Sequence, residues 1–467
     1  MNVIVKRVVI LVLIIISVFG LDFLSSDSLW LNTPTDIEVN SLIEDRQKQQ
    51  EEINQMILEE LDRDPVLDYE NLFDESQRHT FIVEFTSNEF EGLINDMNEY
   101  NDMFGTLKSN NYRNVSVTYV SGEDIRVISD VGFRTKGNIY SRRLPVDESG
   151  NVREVHFMLK FNETFDLNLE SAAYHELKTR EFLGVEQLLF KWNNVGDPSR
   201  INEVFSYNMF TEIGVAVPDS SFAEVQIVID GKVELVAFYK IFEHYDEEFV
   251  RRHFNEEGVH EVGDLYKGQW SATLDPIEDS SLFGVRDTEN NIRPMYSLET
   301  NKDVYNYAVL IRFSQGINEE DIDIRKAFFE ANFNIDSFLK AMAMNVLLGN
   351  PDDYRGNGNN FYYYFDRDGY MTYVPFDYDN TMGSGWDGLP AFINYTLDND
   401  IYEWGHFEWN PFGIPLWDNL IVHEEYQIRY EDYLEDYIVS GLFSEQKYLT
   451  LFNTVNDLYG DDFPMFY

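Results

Sequence analysis

Residues 349–383 read GNPDDYRGNGNNFYYYFDRDGYMTYVPFDYDNTMG. Two aromatic runs that are typical of strands, FYYYF (361–365) and MTYVPF (371–376), lie on either side of Asp368-Gly369, a pair that favours tight turns. We therefore predict a β-hairpin here. Acidic and amide side chains crowd both outer ends of this hairpin, and they are Asp352, Asp353, Asn359, Asn360, Asp377 and Asp379.

Two registers of the hairpin are open. If Asp368-Gly369 forms a two-residue loop, Asn360 lies opposite Asp377. If the turn centres one residue earlier, Asn360 lies opposite Pro375, whose side chain shares a face with Asp377. Both registers place an amide and a carboxylate side by side, about 5 Å apart at Cβ. Two oxygen ligands at this separation suit a hard cation such as Mg²⁺, which completes its shell with water and phosphate.

A carboxylate beside such a cation can act as a base. Asp352 and Asp353 lie on the loop that leads into the same end of the hairpin, and Asp379 could add a second carboxylate to the cation site. An Asp, an Asn eight residues later, a hairpin and a further Asp follow the order that protein kinases use for base and metal ligands. The alternative that these residues only form turns and a solvated acidic edge stays open. An EF-hand fits less well, because Met382 stands where that calcium loop needs Gly.

The composition excludes several classes of function. The chain of 467 residues carries 84 acidic and 35 basic residues, a net charge of −49. Such a surface repels phosphates and anionic lipid, so we expect no nucleic acid partner and attraction to basic partners; the alternative is that the charge only solvates the surface. Cysteine is absent, which removes disulfides, thiolate metal sites and cysteine nucleophiles. The histidines form no HExxH pair, so a zinc hydrolase is not expected.

The first residues are typical of an export signal. Lys6 and Arg7 precede fourteen uncharged residues, VVILVLIIISVFGL, and Asp22 follows. Fourteen residues suit the apolar region of a signal peptide, although an uncleaved anchor is also open. We therefore predict a signal peptide or membrane anchor over residues 1–24, a location outside the cytoplasm, and membrane contact only through this segment. Residues 25–75 are predicted to form a helical stalk or linker.

The remaining pattern favours an α+β fold. Alternating apolar residues predict strands from HTFIVEFT (79–86) onwards, and AEVQIVIDGKVELVAFYKIFE predicts a hairpin around Asp230-Gly231. Helical spacing over 200–214 and 336–350 predicts two helices. We expect a β-rich domain over 76–260 and a mainly helical domain over 261–467 that contains the hairpin region 350–383.

Several motifs in this order resemble the CotH kinase family, atypical protein kinases that are secreted or associated with the spore coat. They are VGFRTKGN (131–138), WNNVGDPSRINEVFSYNMFTEIGVAVP (192–218), AFYKIFEHYDEEFVRRHF (237–254), DLYKG (264–268) and the opening stretch. The resemblance covers roughly residues 75–440. It implies a two-lobed kinase-like fold and transfer of phosphate from ATP, with Mg²⁺ or Mn²⁺, to hydroxyl groups of a protein.

The resemblance also implies residue roles. Asp352 matches the catalytic Asp, with Asp353 as the second choice, and Asn360, Asp377 and Asp379 match the metal ligands. For the nucleotide it implies Lys160, held by a pairing with Glu203. Further residues that match positions near the phosphates or the cleft are Arg134, Lys136, Gly137, Glu243 and Lys267. The chain departs from the family pattern shortly before Lys160, where a basic residue is expected near Glu154 and Val155 and the sequence reads REVHFM.

Three functions fit these observations. An active extracytoplasmic protein kinase is favoured, and its substrate is expected to be a basic or Ser-rich protein because of the acidic surface. The second is a catalytically silent relative that serves adhesion or coat assembly. The third is a secreted glycoside hydrolase, whose two carboxyl groups would need a separation of roughly 5–9.5 Å. The sequence does not decide the oligomeric state.

Overall fold

The computed structural model describes residues 64–139, 141–254, 262–277, 283–288, 291–304, 306–383, 400–406 and 413–467. The chain divides into two compact units, Met1–Glu70 and Asn71–Tyr467. The predicted signal or anchor (1–24) and the predicted stalk up to residue 63 lie outside the described residues. In the described part of the chain, no helix has both the length and the apolar character needed to cross a membrane.

A closed barrel of seven strands dominates the first half of the larger unit. Its strand order is β1-β2-β3-β4-β5-β7-β6, and β1 pairs in parallel with β6 to close it. Alternate residues of β1 point inward, because Phe81, Val83 and Phe85 are buried, as expected for strands with one face on a core. The strands are β1 (Thr80–Phe85), β2 (Arg113–Ser121), β3 (Asp124–Thr135), β4 (Phe157–Lys160), β5 (Gln187–Lys191), β6 (Ser220–Ile229) and β7 (Lys232–Glu243).

The hairpin predicted around Asp230-Gly231 is confirmed. Ile229 pairs with Lys232, which leaves Asp230 and Gly231 as a two-residue loop. Both residues have positive φ, 47° and 76°, the conformation that the favoured two-residue hairpin turn requires.

The second half of the larger unit combines a small sheet with helices. A four-stranded sheet has the order β11-β8-β12-β13, and a separate two-stranded sheet joins β9 and β10. Gly268 on β8 lies opposite Phe361, where a Cβ atom would come within 2.0 Å of the Phe361 ring, so only glycine fits this position. The strands are β8 (Asp264–Gly268), β9 (Phe283–Thr288), β10 (Asn291–Pro294), β11 (Tyr296–Leu298), β12 (Phe361–Phe365) and β13 (Met371–Pro375).

The register of the β12–β13 hairpin differs from both predicted registers. Phe361 pairs with Pro375, so Asn360 lies opposite Phe376 rather than Asp377 or Pro375. The turn is a three-residue loop, which Asp366 closes by its backbone bonds to Gly369 and Tyr370. Both predictions assumed a two-residue loop. The positive φ of Gly369 (83°) lets the extra residue fit.

The helices surround these sheets. Helix α4 (Asn202–Glu212) follows β5 and is mostly buried, with its last two residues exposed. Helix α8 (Ile335–Leu348) packs against α11 (Glu424–Val439) and β13. One apolar core continues from Met158 and Phe242 of the barrel to Tyr373 and Trp417 of the second half. The helices are α1 (Pro65–Leu72), α2 (Ser87–Phe104), α3 (Ala172–Lys178), α4 (Asn202–Glu212), α5 (Glu247–His253), α6 (Ala308–Ile317), α7 (Ile322–Asn332), α8 (Ile335–Leu348), α9 (Tyr354–Asn357), α10 (Pro415–Ile421), α11 (Glu424–Val439) and α12 (Glu445–Tyr459). The fold is therefore of the α+β class.

Candidate active site

A buried ion-pair cluster joins the barrel to helix α4. Lys191 on β5 and Lys240 on β7 are direct cross-strand partners. Both ammonium groups bind Glu203 in the first turn of α4: Lys191 Nζ contacts Oε1, and Lys240 Nζ lies 2.5 Å from Oε2. Glu203 is 1% exposed. Each carboxylate oxygen of this buried group thus has its own lysine, which satisfies the charge that burial would otherwise penalise.

Lys191 extends the cluster to the loop after the β12–β13 hairpin. Its Nζ contacts Asp377 Oδ1 and lies 3.6 Å from Asp379 Oδ2. Although burial opposes it, the carboxylates of Asp377, Asp379 and Glu203 raise the pKa of Lys191 well above its usual value. Burial also opposes the charge of Asp377, but Lys191 lowers the pKa of that carboxyl below its usual range. The two groups therefore form a charged pair.

The cluster would be one positive charge short of neutral if all three of its carboxylates were ionised. Two lysines face the carboxylates of Glu203, Asp377 and Asp379, and burial, together with Asp377 and Glu203, raises the pKa of Asp379 to about 8. A carboxylate held this way gains from an added cation. The atoms that this cluster offers to a metal are carboxylate oxygens, the ligands that Mg²⁺ and Mn²⁺ prefer. Asp377 and Asp379 therefore fit a divalent metal ion.

A second polar group lies on the loop between α8 and β12. Asp352 receives a hydrogen bond from Asn357 Nδ2 at its Oδ1 (2.7 Å) and one from Asn360 Nδ2 at its Oδ2 (3.0 Å). Asn360 Nδ2 also donates to the backbone oxygen of Asp352 (2.9 Å). Two amides thus fix the orientation of the Asp352 carboxylate. Asn360 makes these bonds with its NH2 group, so its side-chain oxygen is the atom that could act as a metal ligand.

Asn360, just before β12, and Asp377, shortly after β13, lie at the open end of the hairpin and share an unusual backbone conformation. Their φ angles are 58° and 61°, in the left-handed region that Asn and Asp adopt more readily than most residues. The amide of Phe376 donates to Asn360 O (3.1 Å), and the amide of Asp377 donates to the hydroxyl of Tyr207 on α4 (3.0 Å). These left-handed residues interrupt the strand alternation, and such outliers cluster at functional sites.

Comparison with models of protein families identifies a match for most of the chain. The model described as CotH kinase protein matches residues 156–460, about two thirds of the chain. The chain belongs to the CotH kinase family. The matched range contains both the ion-pair cluster around Glu203 and the loop that carries Asp352. No curated protein matches the chain.

The pairing of Lys160 with Glu203 predicted for this CotH family member is wrong. Lys160 Nζ lies 3.0 Å from Glu163 Oε2 and 5.4 Å from the centre of the Tyr112 ring. The reason is the register of β4 and β5. Phe157 faces Phe190, so Lys191 is level with the residue before Phe157, and Lys160 is at the opposite end of β4, about 13 Å away.

The two lysines that do bind Glu203 were not singled out from the sequence. A signal for them exists, because Lys240 is the one charged residue in the apolar run VAFYKIF, and Lys191 ends the apolar run LLFK. A charged side chain in a strand that is buried on both faces needs a buried partner. The departure from the family pattern at REVHFM thus coincides with buried lysines on the neighbouring strands β5 and β7.

Glu243 also lies apart from the cluster. It is three residues after Lys240 on β7, so its side chain points to the opposite face of the strand. Its Oε1 accepts a hydrogen bond from Arg252 Nη1 (2.7 Å), and its Oε2 lies 2.7 Å from His253 Nε2. These partners lower the pKa of Glu243 against the effect of burial. In the described residues Asp219, Glu243 and His253 place ligand atoms within 4.8 Å of one another, but Arg252 already neutralises Glu243, so this group fits a metal poorly.

Asp353, the second choice for the catalytic residue, is fully buried. It caps the short helix α9 and accepts a hydrogen bond from the amide of Gly356 (2.7 Å). Burial raises the pKa of Asp353 to about 6. This helix cap and its hydrogen bond shape the loop that carries Asp352.

The other predicted residues near the nucleotide are Lys136, Lys267, Arg134 and Gly137, and their contacts differ. The amide of Lys136 donates to His156 O (2.7 Å), and His156 is level with Lys191. Lys267 Nζ lies 4.2 Å from the centre of the Phe376 ring, beside Asp377, and its charge adds to that of Lys191 in lowering the pKa of Asp377. Arg134 Nη1 binds Asn110 Oδ1 (2.6 Å). Gly137, in the same loop, has a φ of 117°.

Proposed function

We propose that this CotH family member is a metal-dependent protein kinase that transfers the γ-phosphate of ATP to hydroxyl side chains of a protein. The observation that carries the proposal is the chain of contacts Glu203–Lys191–Asp377, which links the barrel to the hairpin loop. Kinases use a lysine–glutamate ion pair and a metal-binding Asp in this combination. The enzyme acts outside the cytoplasm, secreted or anchored by its N-terminal segment.

The proposal includes a two-lobed arrangement. The barrel and α4, within 76–260, form the first lobe and supply the lysines and Glu203. The second lobe, within 261–467, supplies Asp352, Asn360 and the loop 377–379. ATP binds between these two sets of residues, with its phosphates toward Lys191.

Each side chain then has a role. In the absence of nucleotide, Lys191 binds Asp377; with ATP bound, its ammonium turns to the phosphates and stabilises the charge that develops on them. Asn360, Asp377 and Asp379 would hold Mg²⁺ or Mn²⁺, and the bound ion would supply positive charge to neutralise the phosphates. Lys267 adds positive charge beside the phosphates, in a protein whose surface is otherwise strongly acidic. Burial and the neighbouring Arg134 and Lys267 lower the pKa of Lys136, so its ammonium contributes only when phosphate oxygens offset that effect.

Asp352 orients and deprotonates the substrate hydroxyl. The hydroxyl proton passes to the Asp352 carboxylate, the hydroxyl oxygen forms a bond to the γ-phosphorus, and the bond from that phosphorus to the bridging oxygen breaks, so ADP leaves. The hydrogen bonds from Asn357 and Asn360 hold the carboxylate for this task. Asp353 supports the loop.

The deciding experiment is incubation of the purified protein with labelled ATP and Mn²⁺ or Mg²⁺. We expect incorporation of label into the protein itself or into a basic, Ser-containing protein, and its loss in Asp352→Ala. ATP binding without transfer by the wild type would instead favour a silent relative. A wild type whose thermal stability does not change with ATP and metal would overturn the kinase proposal.

A further inference from the structure

Glu203 is held by two lysines, whereas the proposed chemistry uses only one. Lys191 and Lys240 face each other across β5 and β7, and each binds a different oxygen of the Glu203 carboxylate. We infer that Lys240 is a positioning residue, which holds Glu203 and supplies its counter-charge so that Lys191 can exchange Asp377 for phosphate. This inference rests on the proposed kinase function.

The burial of the pair makes Lys240 a permanent partner of Glu203. Glu203 is 1% exposed and Lys240 is 3% exposed. A buried carboxylate without a counter-charge carries a large free-energy penalty, so Glu203 retains at least one lysine at all times. Lys240 lies 2.5 Å from Glu203 Oε2 and meets this need without Lys191.

Lys191 has a different set of contacts. It bridges Glu203 to Asp377 and lies 3.6 Å from Asp379, on the loop proposed to bind the metal. If Lys191 were the only counter-charge of Glu203, a phosphate would compete with that carboxylate for the same ammonium. Because Lys240 neutralises Glu203, this competition is reduced, and Glu203 serves to keep Lys191 pointed at the phosphates.

The test compares Lys240→Met and Lys240→Arg with Lys191→Met. The probe is ATP with Mg²⁺, its affinity is measured by calorimetry, and kcat and KM are measured with labelled ATP. We expect Lys240→Met to weaken nucleotide binding about tenfold, within the range of coupling between neighbouring charged groups. Lys240→Arg, which keeps the charge, should restore affinity to within about threefold of wild type. Lys240→Met with unchanged affinity would overturn the inference.

A double-mutant cycle separates positioning from direct contact. In the Glu203→Gln background no charged carboxylate remains to be held, so adding Lys240→Met should change nucleotide affinity by less than about twofold. A tenfold loss in both backgrounds would mean that Lys240 itself contacts the nucleotide, which overturns the positioning role. If Lys240→Met alone does not fold, Lys240→Gln replaces it, because its amide can donate to Glu203 without supplying a counter-charge. Unchanged nucleotide affinity in Lys240→Gln would then overturn the inference.

The outcomes distinguish this inference from the function on which it rests. A wild-type protein that does not bind ATP with metal refutes the kinase proposal, whatever the Lys240 variants do. A wild-type protein that binds ATP, together with Lys240→Met that binds equally well, refutes only the role of Lys240.

Discussion

At the scale of single residues, Lys191 is the junction of the candidate active site. Its ammonium contacts Glu203 from the barrel and Asp377 from the hairpin loop, two groups that are far apart in sequence. Asp352 belongs to a separate group with Asn357 and Asn360. The residues around Lys191 are proposed to bind metal and nucleotide, and the group around Asp352 is proposed to activate the substrate hydroxyl. Substitutions should therefore separate binding from turnover.

We expect Asp377→Ala to abolish the thermal stabilisation that ATP and Mg²⁺ give, because it removes a metal ligand and the closer of the two loop carboxylates that Lys191 contacts. Asp352→Ala should keep that stabilisation and lower kcat by about 10²–10⁴-fold, the usual effect of losing a general base. The matched control is Asp368→Ala, at the exposed far end of the same hairpin, which should change neither quantity. Equal nucleotide affinity in wild type and Asp377→Ala would refute the metal assignment.

Asp246 carries a charge effect that is separate from the active site. It caps α5 by accepting hydrogen bonds from the amides of Glu248 and Phe249. Burial, with the nearby carboxylates of Glu243 and Glu186, raises the pKa of Asp246 to about 8. The folded protein therefore keeps this proton up to about pH 8, whereas the unfolded chain releases it near pH 4. The contribution of Asp246 to stability is full below about pH 4 and is lost as the pH rises toward 8.

Asp246→Asn should remove this pH dependence, because Asn also caps helices but does not titrate. Between pH 5 and pH 8, we expect the free energy of unfolding of the variant to fall less steeply than that of wild type. The difference in slope should correspond to at most one bound proton. Urea denaturation at several pH values, in buffer with a chelator, measures it. Identical slopes would show that Asp246 is ionised throughout this range.

At the scale of elements, hydrogen bonds fix helix α4 at its N-terminal end. Asn202 Nδ2 donates to Thr381 O (3.4 Å) and Ser206 Oγ lies 3.2 Å from Thr381 Oγ1, which ties the helix to the proposed metal loop. On the other side, the hydroxyl of Tyr448 on α12 lies 2.6 Å from Asn202 Oδ1 and 2.7 Å from Ser199 Oγ. Glu203 is therefore anchored by both the loop and the C-terminal helix.

Tyr448→Phe should loosen this anchor. We expect a loss of about 1 kcal/mol in the free energy of unfolding, typical of a removed hydrogen bond within a protein. Kinase activity should fall several-fold, because the position of Glu203 becomes less fixed. Tyr467→Phe is the control, since its hydroxyl binds Glu445 on the exposed surface of the same region. Wild-type activity in Tyr448→Phe, with reduced stability, would show that the contact is structural only.

The strands and helices were largely predictable from the sequence, but the registers in which the strands pair were less so. Alternation in the barrel strands and the Asp230-Gly231 turn predict structure locally, and these predictions are confirmed. The register of the β12–β13 hairpin was not, because DRDG can close as two residues or three, and only packing decides. The sequence analysis predicted Lys160 and missed Lys191, because the sequence alone does not contain the β4–β5 register that separates them. Residues proposed for catalysis and metal binding remain predictions.

At the scale of the whole molecule, the net charge of −49 should govern the choice of substrate. A strongly acidic surface attracts basic proteins and accelerates their encounter, and salt screens this attraction. We expect a basic Ser-containing peptide to be phosphorylated faster than an acidic peptide of equal length at low salt. The difference should shrink at about 0.5 M salt, where screening is short-ranged. Equal rates for both peptides at low salt would refute substrate selection by charge.

The parallel pairing of β1 with β6 also determines the order in which the barrel can fold. A nascent chain presents β1 first. Its parallel partner β6 is made only after the four strands between them and helix α4. Until then one edge of β1 offers unsatisfied backbone groups to any neighbouring strand. Such non-local closure slows folding and lengthens the time during which the chain can aggregate. We therefore expect the nascent chain to be most prone to aggregation in the interval before β6 has emerged.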